Sequence, residues 1–212
     1  MTKQKSAPPL RLMIYDDTCR GSALLPGLTH SWIAGASAYR WKGRLDYTKG
    51  VTSWAQGLEW LATVEEDREI AEVQFWGHGK WGRAKVDDDV LDVEALKKGH
   101  PYRPLLEAIR RRLVGPDALW WFRTCETFGC VAGHDFARRW CDFLHCRAAG
   151  HTYIIGLWQS GLHLLAPGQQ PDWPVEEGLS EGTPEEPTKA LWSKPGEPNT
   201  ITCLHNRHPI LR

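Results

Sequence analysis

A chain of 212 residues is long enough to bury one sizeable core unaided, which excludes a miniprotein held by disulfides. Its 26 Lys and Arg balance 26 Asp and Glu, so no overall field draws it to a phosphate backbone or an anionic membrane, and neither nucleic acid nor a membrane is an expected partner. Mean hydropathy is −0.45, and no apolar run approaches the roughly 20 residues that cross a bilayer.

Met1 to Pro9 holds no apolar segment of export-signal type, and Leu10 to Tyr15 is too short to be one, so the expected compartment is the reducing cytoplasm. Four of the six cysteines, Cys125, Cys130, Cys141 and Cys146, crowd into one stretch. Without an export signal that favours free thiols, a metal or a catalytic role over paired bridges.

In chain order, Leu10 to Tyr15 reads as a buried strand that ends on Asp16 and Asp17. Pro26 suits a first helical turn, and Leu28, Trp32 and Ala36 recur at helical spacing as far as Arg40. A weak strand signal lies within Trp41 to Val51, and Ser53 with Gln56 forms a capping-box pattern ahead of a helix bearing Trp54, Leu58 and Leu61 on one face. Ile70 to Trp76 reads as a strand running into Gly77, His78 and Gly79. Trp81 to Leu91 reads as a small hairpin tipped by Asp87, Asp88 and Asp89.

Pro104 opens a helix with Leu106, Ile109 and Leu113 on one face, closed by Gly115 and Pro116. Leu119 to Phe122 is the next strand and stops at Arg123, Thr124 and Cys125. A helix over Phe136 to Leu144 and a strand over His151 to Ile155 complete the regular part. Seven of the fourteen prolines fall between Pro167 and Pro198, so residues 166–200 read as a surface loop or flexible segment after a core of 1–165, with an edge strand or tail over 201–212. Strands alternating with helices imply an α/β three-layer sandwich around a mostly parallel sheet, with ligands taken at the carboxyl ends of the strands.

His78 and Cys125 each lie at the end of an expected inner strand. If those strands are neighbours, imidazole and thiol share one rim of the sheet. A free thiol has a pKa of about 8.5, so a nearby imidazole is what raises its thiolate fraction or later protonates the leaving group, as acyl transfer requires. Gly79 leaves an unobstructed N–H for an oxyanion and room for a substrate.

The stretches Val73-Gln-Phe-Trp-Gly-His78-Gly79 and Leu119-Trp-Trp-Phe-Arg-Thr-Cys125 resemble the caspase-like cysteine peptidases, the clan of caspases, metacaspases, gingipains, separases and CHAT-type proteases. There a His-Gly pair ends one strand and the nucleophilic cysteine ends the next, about 50 residues on; here the interval is 47 (125 minus 78). The resemblance covers Leu10 to Ile155 in element order more than in letters. It is nearest to a bacterial caspase-like domain of unassigned function with glycines after the cysteine, as Gly129 and Gly133 stand here. It implies His78 as general acid/base, Cys125 as nucleophile, the N–H groups of Gly79 and Cys125 as oxyanion hole, a protein or peptide substrate and no cofactor.

The caspase Gln-Ala-Cys motif is absent, since Thr124 and Glu126 flank Cys125, and this excludes a caspase proper. Arginine-specific members carry an aspartate two residues before the cysteine, where this chain has Arg123. A cation there fits an acidic substrate residue or pairs with an internal carboxylate, whereas Asp16 and Asp17 on the same rim argue for a basic one. Trp158 would wall the groove or pack in the core, and the 166–200 segment offers a site of self-cleavage or regulation. Asp87 to Asp89 offers calcium a site or is a solvated tip. Two alternatives to a peptidase stand: an inactive interaction module of the same architecture, and a zinc-stabilised binding domain using Cys125, Cys130, His134, Cys141, His145 and Cys146. Gly178-Leu-Ser180-Glu-Gly182 fits the hydrolase elbow by letters only, since no strand and helix flank it.

Overall fold

The computed structural model describes residues 7–21 and 27–196. Its centre is a six-stranded sheet in the order β2-β1-β3-β7-β8-β9, formed by β1 (Leu10–Asp16), β2 (Tyr47–Val51), β3 (Ile70–Trp76), β7 (Leu119–Arg123), β8 (Arg147–His151) and β9 (Leu162–Leu165). All neighbours are parallel except the β8–β9 pair at one edge. Helices α2 (Trp54–Thr63), α3 (Arg103–Arg112) and α4 (Cys130–Leu144) cover one face through Leu12, Ile14, Phe75, Trp120 and Phe122. Helix α1 (Leu28–Trp41) covers the other through Met13, Ala36 and Trp76, which makes the expected three-layer α/β sandwich. Every residue of β3 is buried because both faces are covered.

Local chemistry explains most boundaries. Ser53 caps α2, its hydroxyl accepting from the Gln56 N–H at 3.2 Å, while the Gln56 amide oxygen accepts from the Thr52 N–H at 2.9 Å. The Asp87–Asp88 turn joins β5 (Arg83–Val86) to β6 (Asp89–Leu91), and β4 (His78–Lys80) extends this hairpin to a separate three-stranded sheet. Gly35 lets α1 lie close on the sheet, since a Cβ there would sit 2.4 Å from the Trp76 ring.

Two expectations are corrected. The last parallel strand is Arg147–His151, not His151 to Ile155: Ala148, Ala149 and Gly150 are poor strand formers in isolation, but all three are buried in the sheet, and packing decides. Residues 166–196 are not an irregular loop. They contain the hairpin β10 (Leu179–Gly182) and β11 (Pro187–Ala190), and Trp173 is buried, stacking on Phe128 and donating to its carbonyl at 3.2 Å. Pro26 and the edge strand expected over Ile201 to Cys203 lie outside the described residues. Among the described residues no helix is long and apolar enough to cross a membrane.

The face under α1 carries a polar ladder. Trp76 Nε1 donates to Gln74 Oε1 (2.8 Å), and Gln74 Nε2 donates to Glu72 Oε1 (2.7 Å). Burial pushes the Glu72 carboxyl from 4.5 up to about 7, against the opposing pull of Gln74, Arg11 and Arg44. Between those values the folded chain holds a proton that the unfolded chain has released. The stability from this group is therefore complete below pH 4.5 and declines as pH rises through 7. Urea denaturation of the native chain and Glu72→Gln should agree near pH 4.5 and diverge by about 3 kcal/mol above pH 7, the variant being more stable. Parallel pH profiles would refute this.

Candidate active site

Trp76 of β3 stands opposite Arg123 of β7 in parallel register. His78 follows the first by two residues and Cys125 follows the second by two, so the paired strands deliver both side chains to one rim. Both line a cleft of about 680 Å³ walled by Trp32 and Tyr39 of α1 and by Ile155 and Leu157.

The loop after β7 is firmly tied. Glu126 N–H donates to the Tyr153 carbonyl (3.0 Å), Phe128 N–H to the His151 carbonyl (2.9 Å), and the Thr124 and Thr127 hydroxyls bond to each other. Glu126 (φ 54°) and Cys130 (φ 61°) hold left-handed backbone that side-chain-bearing residues seldom adopt, a form of strain that clusters at functional loops. Gly79 presses against this loop: a Cβ there would meet Thr127 Oγ1 at 2.2 Å and the Cys125 carbonyl at 2.7 Å. The space expected to admit a substrate at Gly79 is therefore filled by the turn carrying Cys125.

The Cys125 thiol faces the Ile155 carbonyl at 3.8 Å. Burial pushes its pKa up, hydrogen-bond donation from the Ile155 backbone opposes this and Glu126 adds to it, so the thiol rests protonated near neutral pH. The thiol that meets the His78 imidazole is another one. Cys19 Sγ lies 3.3 Å from His78 Nε2 and 3.8 Å from Asp16 Oδ2. Cys19 was not singled out in the sequence, although the signal existed: it stands three residues past a strand end already assigned to this rim.

Arg123 is half-buried at the cleft, where its side chain also hydrogen-bonds with Tyr39. Its guanidinium lies 3.9 Å from the centre of the Trp76 ring, Nε donates to Gln159 Oε1 at 2.8 Å, and Nη1 has no hydrogen-bond partner among the described residues. No carboxylate pairs with it among the described residues, and none lines the cleft, whereas Lys42 does. Asp16 and Asp17 lie outside the lining: Asp16 is fully buried and bound to Thr18, and Asp17 pairs with Arg20 at 2.6 Å. Trp158 is also outside it, because the chain turns back where Gly156 N–H donates to the Trp158 carbonyl, leaving Leu157 and Gln159 at the cleft.

The six zinc ligands considered for a structural site are not gathered. Among the described residues the only group of three or more metal-binding side chains is Asp16, Cys19 and His78. Asp89, at the supposed calcium tip, instead accepts from Trp54 N–H (2.7 Å) and from Tyr102 (2.7 and 2.8 Å). No protein-family model matches the chain, and no curated protein matches it.

Two outcomes follow from this geometry. Cys130, Cys141 and Cys146 are buried, burial pushing the first two thiols up to about 11 and about 12 and the third well above its ordinary value, so in a Cys203→Ser background an aromatic disulfide reagent should modify Cys19 and Cys125 at least about tenfold faster. One common rate for all five would contradict this environment. Gly79→Ala should cost about 1–3 kcal/mol by displacing the Thr124–Thr127 turn, and an unchanged urea midpoint would show that the contact is not tight.

Proposed function

We propose that the chain is a cysteine endopeptidase of caspase-like architecture in which Cys125 attacks the scissile carbonyl and His78 moves the protons. What supports the reading above all is the β3–β7 register, which carries the imidazole and the thiol into one cleft from positions 47 residues apart (125 minus 78).

The half-buried thiol rests neutral, so its proton passes to the imidazole as Sγ bonds to the carbonyl carbon. The family resemblance gives the oxyanion to the N–H groups of Gly79 and Cys125; of these two residues Cys125 lines the cleft and Gly79 stands behind it. Collapse breaks the C–N bond, the imidazolium proton leaves with the amine, and a thioester remains on Cys125. Water, deprotonated by His78, then releases the acid and restores the thiol. The reading requires the imidazole to exchange Cys19 for Cys125 before attack.

Arg123 indicates the substrate class. A half-buried guanidinium whose Nη1 has no hydrogen-bond partner and which has no carboxylate partner among the described residues, Tyr39 and Gln159 being its neutral partners, is suited to an arriving anion, and the cleft lining holds no acid to compete. The residue before the scissile bond is therefore Asp or Glu.

A peptide-library cleavage profile tests both parts. The native chain should cut after acidic residues, and Cys125→Ala and His78→Ala should each lose at least about 10³-fold in kcat/KM. Arg123→Gln should lose about 10²-fold on acidic substrates, the worth of one charge-assisted contact. If the native chain cuts nothing and a peptide ketone labels Cys125 no faster than the other thiols, the enzyme reading is abandoned.

A further inference from the structure

We propose that Asp16, Cys19 and His78 form a binding site for a thiophilic divalent cation of the zinc class, and that its occupation keeps the imidazole from reaching Cys125. The second half rests on the peptidase reading; the first does not.

One ligand atom from each of the three residues lies within 4.8 Å of the others, and two edges are already short: Sγ to Nε2 at 3.3 Å and Sγ to Oδ2 at 3.8 Å. Zinc bonds of about 2.0–2.3 Å in a tetrahedron give ligand separations of roughly 3.3–3.8 Å, so only the carboxylate–imidazole edge has to contract. The carboxylate is prepared for this. Asp16 is fully buried, and no Lys or Arg pairs with it among the described residues, a condition that proteins resolve by pairing or by coordinating a metal. Its Oδ1 is held by the Thr18 N–H (2.9 Å) and hydroxyl (2.6 Å), which leaves Oδ2 turned toward Cys19, with the Asp87 N–H at 3.4 Å. Such outer hydrogen bonds orient ligating carboxylates.

Thiolate and imidazole ligands select zinc-class ions over calcium or magnesium. On binding, Cys19 releases one proton to solvent, the thiolate and carboxylate together neutralise the dication, and the imidazole donates its Nε2 lone pair. An imidazole whose lone pair is on a metal takes no proton from Cys125. Three protein ligands leave the fourth position to water.

Co²⁺ and Zn²⁺ titrations of the full chain in a Cys203→Ser background test the site without reference to activity. Co²⁺ should bind at about one equivalent with a thiolate charge-transfer band and tetrahedral visible bands, and Zn²⁺ should displace it. Cys19→Ser should abolish the charge-transfer band and weaken Zn²⁺ at least about tenfold, Asp16→Asn should weaken it likewise, and Cys125→Ala should retain both properties. Circular dichroism melts of each variant separate lost ligation from lost folding, and the near-isosteric Cys19→Ser decides if Asp16→Asn unfolds. No band in the native chain, a band that survives Cys19→Ser, or one lost in Cys125→Ala overturns the site. If the site binds, peptide cleavage should be inhibited by Zn²⁺ at the concentration that displaces Co²⁺, and at least about tenfold less sensitively in Cys19→Ser; cleavage indifferent to bound Zn²⁺ overturns the regulatory half. A metal-free chain that cuts no library peptide counts instead against the peptidase reading, while the spectroscopic result stands by itself.

Discussion

The pairing of β3 with β7 is the constraint on which the rest depends. Val73, Phe75, Trp120 and Phe122 face α2, α3 and α4, while Trp76, Leu119 and Trp121 face the opposite side of the sheet, where α1 packs. A slip of one residue would send each set to the wrong side, exchanging large aromatic groups between two filled layers. Phe122 alone touches the rings of Phe128, Phe136 and Trp140, at centroid separations of 6.3, 5.1 and 5.2 Å. With register fixed by so much buried aromatic surface, the heights at which His78 and Cys125 leave the sheet are fixed too. The site inherits its geometry from the core and needs no direct bond between its two principal side chains.

Charge is distributed along this rim in an unusual way. Asp16 at the end of β1 is a buried carboxylate with no cationic partner, and Arg123 at the end of β7 is a half-buried guanidinium with no anionic one, among the described residues. The intervening strand β3 separates them, so they do not satisfy each other. Glu72, on the same strand, shows the alternative: burial alone lifts its carboxyl to about 7, and a neutral acid then joins the ladder through Gln74 to Trp76. Asp16 and Arg123 instead keep polar atoms turned toward other groups or toward the cleft. Folding alone gains little from either arrangement.

How much of this was legible in the sequence depends on which physical signal dominated each segment. Strands β1, β3 and β7 were plain because apolar runs bounded by turn residues have few other readings, and the capping pattern at Ser53 is chemistry that acts over four residues. Strand β8 was misplaced because Ala148, Ala149 and Gly150 carry no strand propensity and are held by what packs on them. The hairpin of β10 and β11 was hidden by prolines: Pro187 stands at the first residue of an edge strand, where a missing N–H costs nothing. Cys125 and His78 were found because both end inner strands. Cys19 was not, because it lies in the loop beyond Asp16, and only the three-dimensional return of β4 toward β1 brings its sulfur to the imidazole. The metal set considered in the sequence failed for the converse reason. Proximity along α4 turned Cys130 and Cys141 into the core rather than toward one another.

Two thiols and one imidazole define the resting chemistry. In the peptidase reading the base is engaged with Cys19 while the Cys125 thiol is kept protonated by its own burial, so the two effects act in the same direction. Lowering the Cys125 pKa would not by itself activate such a site, since the proton acceptor would still face the wrong sulfur. What activates it is a change of partner at His78. The energy of that exchange is small if Cys19 remains a neutral thiol, a weak hydrogen-bonding group, and large once a cation has drawn thiolate, carboxylate and imidazole together. The same three side chains that make an inconspicuous contact in the metal-free chain would thus control the base most strongly when an ion is bound. In that reading, a cysteine three residues from a strand end has more influence over the reaction than its distance from Cys125 in the sequence suggests.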